Sequence, residues 1–214
     1  MEYSKHYNEQ YYAWQKSGGS FGGLANIVKF QEFLGEDLCI IDFGCGGAFL
    51  LQCLRCREKI GIEVNEVAWR EANAAGIRTF RTTQEAPDDW ADLIISNNAL
   101  EHSLNPLDEL RKLHKKLKRG GKIVFIIPCE SIRFVYKPND INHHLFGWSP
   151  MAAGNLFTEA GFHVLESKSY IHKWPKHYQK IRKLFGDRLF NIICRIYGRI
   201  ENSWHQVRVV AEKL

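Results

Sequence analysis

The chain contains no run of about 18 apolar residues, so no transmembrane span is expected. Its start, Met1-Glu2-Tyr3-Ser4-Lys5-His6-Tyr7, lacks the basic-then-apolar order of a signal peptide, and a cytoplasmic protein is expected. Cysteine is sparse: six residues are scattered through strand and helix patterns, which suits a reducing compartment. Cys53 and Cys56 form a C-x-x-C inside a helical run, but no second pair and no histidine pair accompany them. No zinc site is read there, and no metal constellation is expected anywhere in the chain. Excess charge is missing from most of the sequence. Residues 171–206 carry eight basic and two acidic residues, or +6, while the whole chain is +5, so the remainder is close to neutral. A length of 214 residues with 45% hydrophobic content is enough for one well-buried α/β domain.

The most informative stretch runs from Cys39 to Leu50. Cys39-Ile40-Ile41 leads into Asp42, the cluster Gly44-Cys45-Gly46-Gly47 follows, and a helical apolar pattern begins at Phe49. This order predicts a buried strand over 38–43, a tight turn, and a helix over about 47–57. Glycine permits positive φ and lets a ligand approach bare backbone. A helix start adds unpaired N–H groups and partial positive charge. Nucleotide-type ligands bind at such first βα turns of doubly wound sheets. The dinucleotide fingerprint fits only in part, because its third glycine is replaced by Phe49.

The second strand, Lys59 to Glu63, ends in an acid 21 positions after Asp42, the place from which a carboxylate reaches ribose hydroxyls. A helix over 65–75, stopped by Gly76, precedes a short third strand at 77–80. A fourth buried strand ends at Ser96, and Asn97-Asn98-Ala99-Leu100-Glu101-His102 follows at the same sheet edge. Asn105 and Pro106 start a helix over 106–118 that ends in Lys-Arg-Gly-Gly. A fifth strand covers 122–127, and a long connection over 128–149 reads as functional. Ser149 and Pro150 open a helix to Ala160, a sixth strand follows at 161–165, and a last strand spans 207–211.

The Asp-x-Gly-x-Gly run resembles motif I of the class I S-adenosylmethionine-dependent methyltransferases, with Ala48 where a further glycine is common. Asp-Leu-Ile-Ile-Ser-x-x-x-Leu-Glu-His is similar to motif IV of the same family. Leu-Lys-Arg-Gly-Gly-Lys-Ile-Val-Phe-Ile-Ile-Pro also resembles it. The His-His-Leu-Phe-x-Trp-Ser-Pro…Glu-Ala-Gly-Phe pattern looks like a branch tied to sugar and polysaccharide modification.

The resemblance implies a doubly wound, seven-stranded, mostly parallel sheet in the order 3-2-1-4-5-7-6, with strand 7 antiparallel and helices on both faces. It implies S-adenosylmethionine as cofactor and S-adenosylhomocysteine as product. The cofactor set it implies is Asp42, Gly44, Cys45, Gly46, Glu63, Val64, Glu85 and Asn97. An acceptor hydroxyl needs a base, and histidine titrates in the right range. His144 and His143 on the long connection are candidates, with His102 in reserve. An N- or C-methyltransferase is the alternative and a nicotinamide oxidoreductase a remote one. The chain reads as one domain over 1–214. Residues 1–23 form an aromatic helix, with Tyr3, Tyr7, Tyr11 and Trp14 in helical register, and a glycine-rich joint. That helix serves either to pack on the domain edge or to close over the cofactor. Residues 171–206 form a basic amphipathic insertion, read as a solvated surface helix, a homodimer interface, or a contact with a membrane surface or lipid-linked acceptor; nucleic acid is disfavoured by its aliphatic content. The acceptor is expected to be a small molecule.

Overall fold

The computed structural model describes residues 8–201 and 203–214. Tyr3 and Tyr7 lie outside the described residues. Seven strands, β1 (Cys39–Phe43), β2 (Glu58–Ile62), β3 (Thr79–Phe80), β4 (Ala91–Asn97), β5 (Leu117–Glu130), β6 (His163–Tyr170) and β7 (Trp204–Glu212), form one sheet in the order β3-β2-β1-β4-β5-β7-β6. The first five strands are parallel, and β7 runs antiparallel between β5 and β6. This is the expected sheet.

Strand alternation divides the core. Ile41, Phe43, Ile94, Ile123, Phe125 and Ile127 face α5 (Pro106–Lys116) and α6 (Pro150–Glu159), where Leu110, Leu113 and Phe157 cover them. Ile40, Leu93, Ile95, Val124 and Ile126 face the other way, against Phe30 and the Leu50 and Leu51 side chains of α3 (Phe49–Cys53). A sheet covered on both faces needs apolar residues at every position, which is why β1, β4 and β5 read as unbroken hydrophobic runs. Helix α4 (Glu66–Ala74) starts where the Asn65 side chain accepts the N–H groups of Val67 and Ala68.

The amino-terminal region departs from the sequence reading. Helix α1 (Glu9–Ser17) is capped by Asn8 and held to α4 by Glu71, which accepts the Tyr12 hydroxyl at 3.0 Å and Lys16 Nζ at 2.7 Å. The glycine run expected as a joint is instead helical: α2 spans Gly19–Asn26, and two single 3-10 turns, Ile27–Lys29 and Gln31–Phe33, follow it. A Cβ on Gly19 would lie 2.3 Å from the Phe49 ring, and one on Gly23 2.4 Å from the Phe49 carbonyl oxygen. These glycines therefore serve close helix packing, not flexibility. Helix α5 also stops before the Lys-Arg-Gly-Gly expected to end it, because Leu117 turns extended and Gly120 N–H donates to Lys213 O at 2.7 Å.

Between β6 and β7 lies α7 (Tyr178–Ile200), broken at Gly186, whose φ is +70°. Its inner face buries Phe190, Cys194 and Gly198, with Phe21 of α2 against Phe190. No helix of the described residues is long and apolar enough to cross a membrane.

Candidate functional site

The carboxyl ends of β1, β2, β4 and β5 share one sheet edge, and the strand order reverses between β1 and β4, where doubly wound sheets bind ligands. After β1, the N–H groups of Gly44 and Cys45 both donate to Ile62 O, at 2.9 and 3.2 Å. Gly44 takes φ +73°, and a Cβ there would sit 2.2 Å from the Ala99 Cβ, so the turn after β4 can approach only bare backbone. Ala48 occupies the left-handed region at φ +58°, which costs a non-glycine residue about 1 kcal/mol.

Glu63 joins two of these ends. Its carboxylate accepts the Gly46 N–H and the Asn65 N–H, both at 2.7 Å. Burial raises its pKa, while those hydrogen bonds and nearby Arg81 oppose the rise. Burial and the Glu63 charge push the Asp42 carboxyl up to about 8. The Cys45 thiol is raised well above its ordinary value by burial and by both carboxylates, so it acts as a neutral packing group. Val64 lends its carbonyl to Arg81 at 2.7 Å.

The opposite wall comes from distant segments. Lys29, which follows α2, reaches the end of β4 and donates to Asn97 Oδ1 at 2.7 Å and to Gln206 Oε1 at 3.1 Å. Gln206 Nε2 in turn donates to Asn98 Oδ1 at 2.8 Å. Burial lowers the Lys29 pKa to about 7. Beyond Asn98, Glu101 is fully buried, and among the described residues neither of its carboxylate oxygens accepts a hydrogen bond. Burial, chiefly, raises its carboxyl to about 8. Glu101 Oε1 lies 3.9 Å from His102 Nε2 and 3.8 Å from His144 Nε2. Leu145 N–H donates to Glu101 O at 3.0 Å, which ties the connection after β5 to the turn after β4. His144 Nδ1–H donates to Glu130 Oε1 at 2.6 Å, at the very end of β5.

Between the walls lies a cleft of about 720 Å³, bordered by Tyr11, Trp14 and Gln15 of α1 and by the glycines of α2. Asp42, Gly44, Cys45, Asn97, His102 and His144 line it. An adjoining recess is lined by Tyr11, Phe43, Gly44, Glu63, Val64 and His102. Gly46 lies beneath Gln15 and turns its N–H to Glu63. Two expected residues stand apart from both spaces. The Glu85 carboxylate closes its own turn, accepting the Thr82 hydroxyl at 2.9 Å and the Arg81 N–H at 3.2 Å. His143 is exposed, with φ +47° and its N–H on Asp140, so the peptide turn there sends His144 inward and His143 outward. Sequence reasoning missed Lys29, Glu130 and Gln206, which carry no local pattern. Glu101 entered that reading only as a letter of the Leu-Glu-His run.

The chain matches the model of a methyltransferase domain over residues 12–177. No curated protein sequence matches it. Among solved structures, it resembles a SAM-dependent methyltransferase from Archaeoglobus fulgidus with a TM-score of 0.65 and 16% identity, covering 96% of this chain and 100% of that one. It resembles a Haloferax volcanii protein in complex with the Trm112 methyltransferase activator with a TM-score of 0.64 and 17% identity, over 95% and 97% of the two chains. A third likeness, to an S-adenosylmethionine-dependent methyltransferase from Mesorhizobium loti, has a TM-score of 0.62 and 19% identity over 88% and 98%. These identities speak for the fold, and the domain model, matched over most of the chain, speaks for the family. The chain belongs to the methyltransferase-domain family, and its sheet is that of the class I S-adenosylmethionine-dependent members.

Proposed function

We propose that the protein transfers a methyl group from S-adenosylmethionine to a hydroxyl of a small-molecule acceptor, a sugar or polysaccharide precursor being the favoured class. One observation carries the reading: the cleft sets Asp42, Gly44 and Cys45 of the glycine turn against the Glu130–His144 pair, with Glu63 in the adjoining recess. Bound S-adenosylmethionine supplies a methyl group already activated on a sulfonium. The residues present fit it. The bare backbone of Gly44, Cys45 and Gly46, with Asp42 behind it, suits the methionine end. Glu63 suits the ribose hydroxyls and Val64 the adenine side. Asn97, held by Lys29, faces the methionine or ribose side. Glu85 is not kept in this set, because its carboxylate is committed to its own turn.

The protein's task is then alignment and removal of one proton. Glu130 fixes the His144 tautomer by taking Nδ1–H, which leaves Nε2 with a lone pair. His144 is the best-placed acceptor for the hydroxyl proton, with His102 across the cluster, its ring centroid 5.0 Å away. Calorimetric titration with S-adenosylhomocysteine, beside NADH, tests the cofactor reading on wild type and Glu63→Ala. Micromolar binding weakened at least tenfold by the substitution supports it. Binding of NADH alone would overturn it in favour of an oxidoreductase. Methylation of an amine or carbon acceptor instead of a hydroxyl would replace the acceptor part of the reading and leave the cofactor part intact.

Helix α7 favours an acceptor at a lipid surface. Phe185, Leu189, Ile192, Ile196 and Ile200 are exposed on the side opposite its buried face, and the exposed Arg188, Arg195 and Arg199 accompany them. An apolar stripe edged by arginine suits an anionic interface. Co-sedimentation with anionic but not neutral vesicles, lost in Ile192→Glu/Ile196→Glu, supports this. A concentration-dependent dimer without vesicle binding would assign the stripe to a second copy of the chain. The free cysteines accord with a cytoplasmic setting.

A further inference from the structure

Three deeply buried glutamates can be compared. Glu63 accepts two backbone N–H groups. Glu109, 1% exposed, accepts the Thr83 hydroxyl at 2.7 Å and Lys112 Nζ at 2.9 Å. Glu101 is 0% exposed and accepts no hydrogen bond at either oxygen from the described residues. A buried carboxylate that accepts no hydrogen bond is costly as an anion, and proteins resolve that cost by protonating the group, by pairing it or by giving it a metal. What stands around Glu101 is a set of nitrogen donors. One ligand atom each from Glu101, His102 and His144 lie within 4.8 Å of one another. His144 Nδ1 is already engaged by Glu130, the arrangement in which an outer carboxylate orients a metal-binding imidazole and leaves Nε2 to the ion.

We propose that Glu101, His102 and His144 bind one divalent first-row transition cation at the cleft wall, with Glu130 as its outer-shell carboxylate. Two imidazoles and one carboxylate favour such a cation over magnesium or calcium, which prefer all-oxygen sites. A cation about 2.0–2.2 Å from each donor sets neighbouring donors roughly 3–3.6 Å apart, so distances of 3.8 and 3.9 Å need only small side-chain adjustment. His102, His144 and Glu130 all line the cleft, so the cation's remaining positions open toward the acceptor. There it holds the acceptor hydroxyl oxygen and acidifies it. The O–H bond breaks, the electron pair stays on oxygen, and the proton leaves to the water of the cleft. His144 Nε2 then serves as a ligand and not as the proton acceptor.

The inference rests on the methyl-transfer reading and refines it. Chelator-treated full-length protein is titrated with Co²⁺, read by visible absorbance, and with Zn²⁺ and Mn²⁺, read by calorimetry. One saturable equivalent is expected. Glu101→Gln and His144→Gln weaken it at least 100-fold, Glu130→Gln weakens it about 10- to 100-fold, and His163→Gln on exposed β6 leaves it unchanged. S-adenosylhomocysteine binding is measured on the same variants and stays at the wild-type value, which shows them folded. No saturable site in wild type, or wild-type cation affinity in both Glu101→Gln and His144→Gln, overturns the cation site and returns His144 to the role of proton acceptor. Wild type that takes the cation but not S-adenosylhomocysteine overturns the methyltransferase reading and leaves the cation site standing.

Discussion

The two walls of the cleft are built in opposite ways. The β1–β2 wall is local and made largely of backbone: a glycine turn whose amides bond Ile62 O and the Glu63 carboxylate at the end of the next strand. The β4–β5 wall is assembled from side chains at Lys29, Asn97, Glu101, His102, Glu130, His144 and Gln206. A wall made of backbone keeps the same shape whatever the acceptor, so the first wall suits a common cofactor. Side chains brought from afar can vary independently, so the second wall suits a particular acceptor.

The largest effect should come from closing the first wall. Gly44→Val adds a Cβ where Ala99 already stands and forces a branched residue into φ +73°. Calorimetry should show no S-adenosylhomocysteine binding, and denaturant melts a loss of at least about 3 kcal/mol. Next comes a substitution that separates the walls. His144→Gln should lower kcat by about 10²- to 10⁴-fold while S-adenosylhomocysteine affinity stays unchanged. A parallel loss of cofactor affinity would mean that the walls are not independent. Glu63→Gln keeps one acceptor oxygen and should weaken the cofactor about tenfold with little change at saturating cofactor.

A smaller effect is read against pH. The buried Lys29 holds a proton only up to about pH 7, whereas the unfolded chain holds it to about 10.4. Between those values the unfolded state binds more protons, so wild type gains stability relative to Lys29→Met as pH rises, by at most about 1.4 kcal/mol per unit. Equal slopes between pH 7 and 9 would mean that Lys29 keeps its proton in the folded chain. The smallest change is a gain: Ala48→Gly relieves left-handed strain and should add about 0.5–1 kcal/mol, visible as a rise in Tm.

The first wall was legible because each part lies within a few residues of its neighbour in sequence: Asp42, Gly44 and Gly46 fall in one run, and Glu63 ends the next strand. The sheet order followed from the family resemblance, which the alternation of buried strands and helices accompanied. The second wall was half hidden. His102 and His144 could be named, but His143 could not be told from His144 without the positive φ that turns one outward. Lys29 gave no signal, because an isolated lysine at a helix end looks like any solvated one. Glu85 was misplaced because an acid after β3 can close its own turn as readily as reach a ligand. Gly19 and Gly23 were misread because composition reports freedom, and only the packed Phe49 shows that these two glycines are required for contact.

That last feature bears on the order of assembly. Three of the eight residues of α2 are glycine, each costing about 1 kcal/mol of helix propensity relative to alanine. Alone, such a segment spends little time helical, and it gains its shape only when α3 offers the Phe49 ring and carbonyl to pack against. Lys29 follows directly and enters the interior on the same trajectory. The segment should therefore consolidate late in folding and open early, so that amide exchange over residues 19–29 outpaces exchange in β1 and β4. Completion of the acceptor wall is then the closing event of folding, after the cofactor wall is already in place.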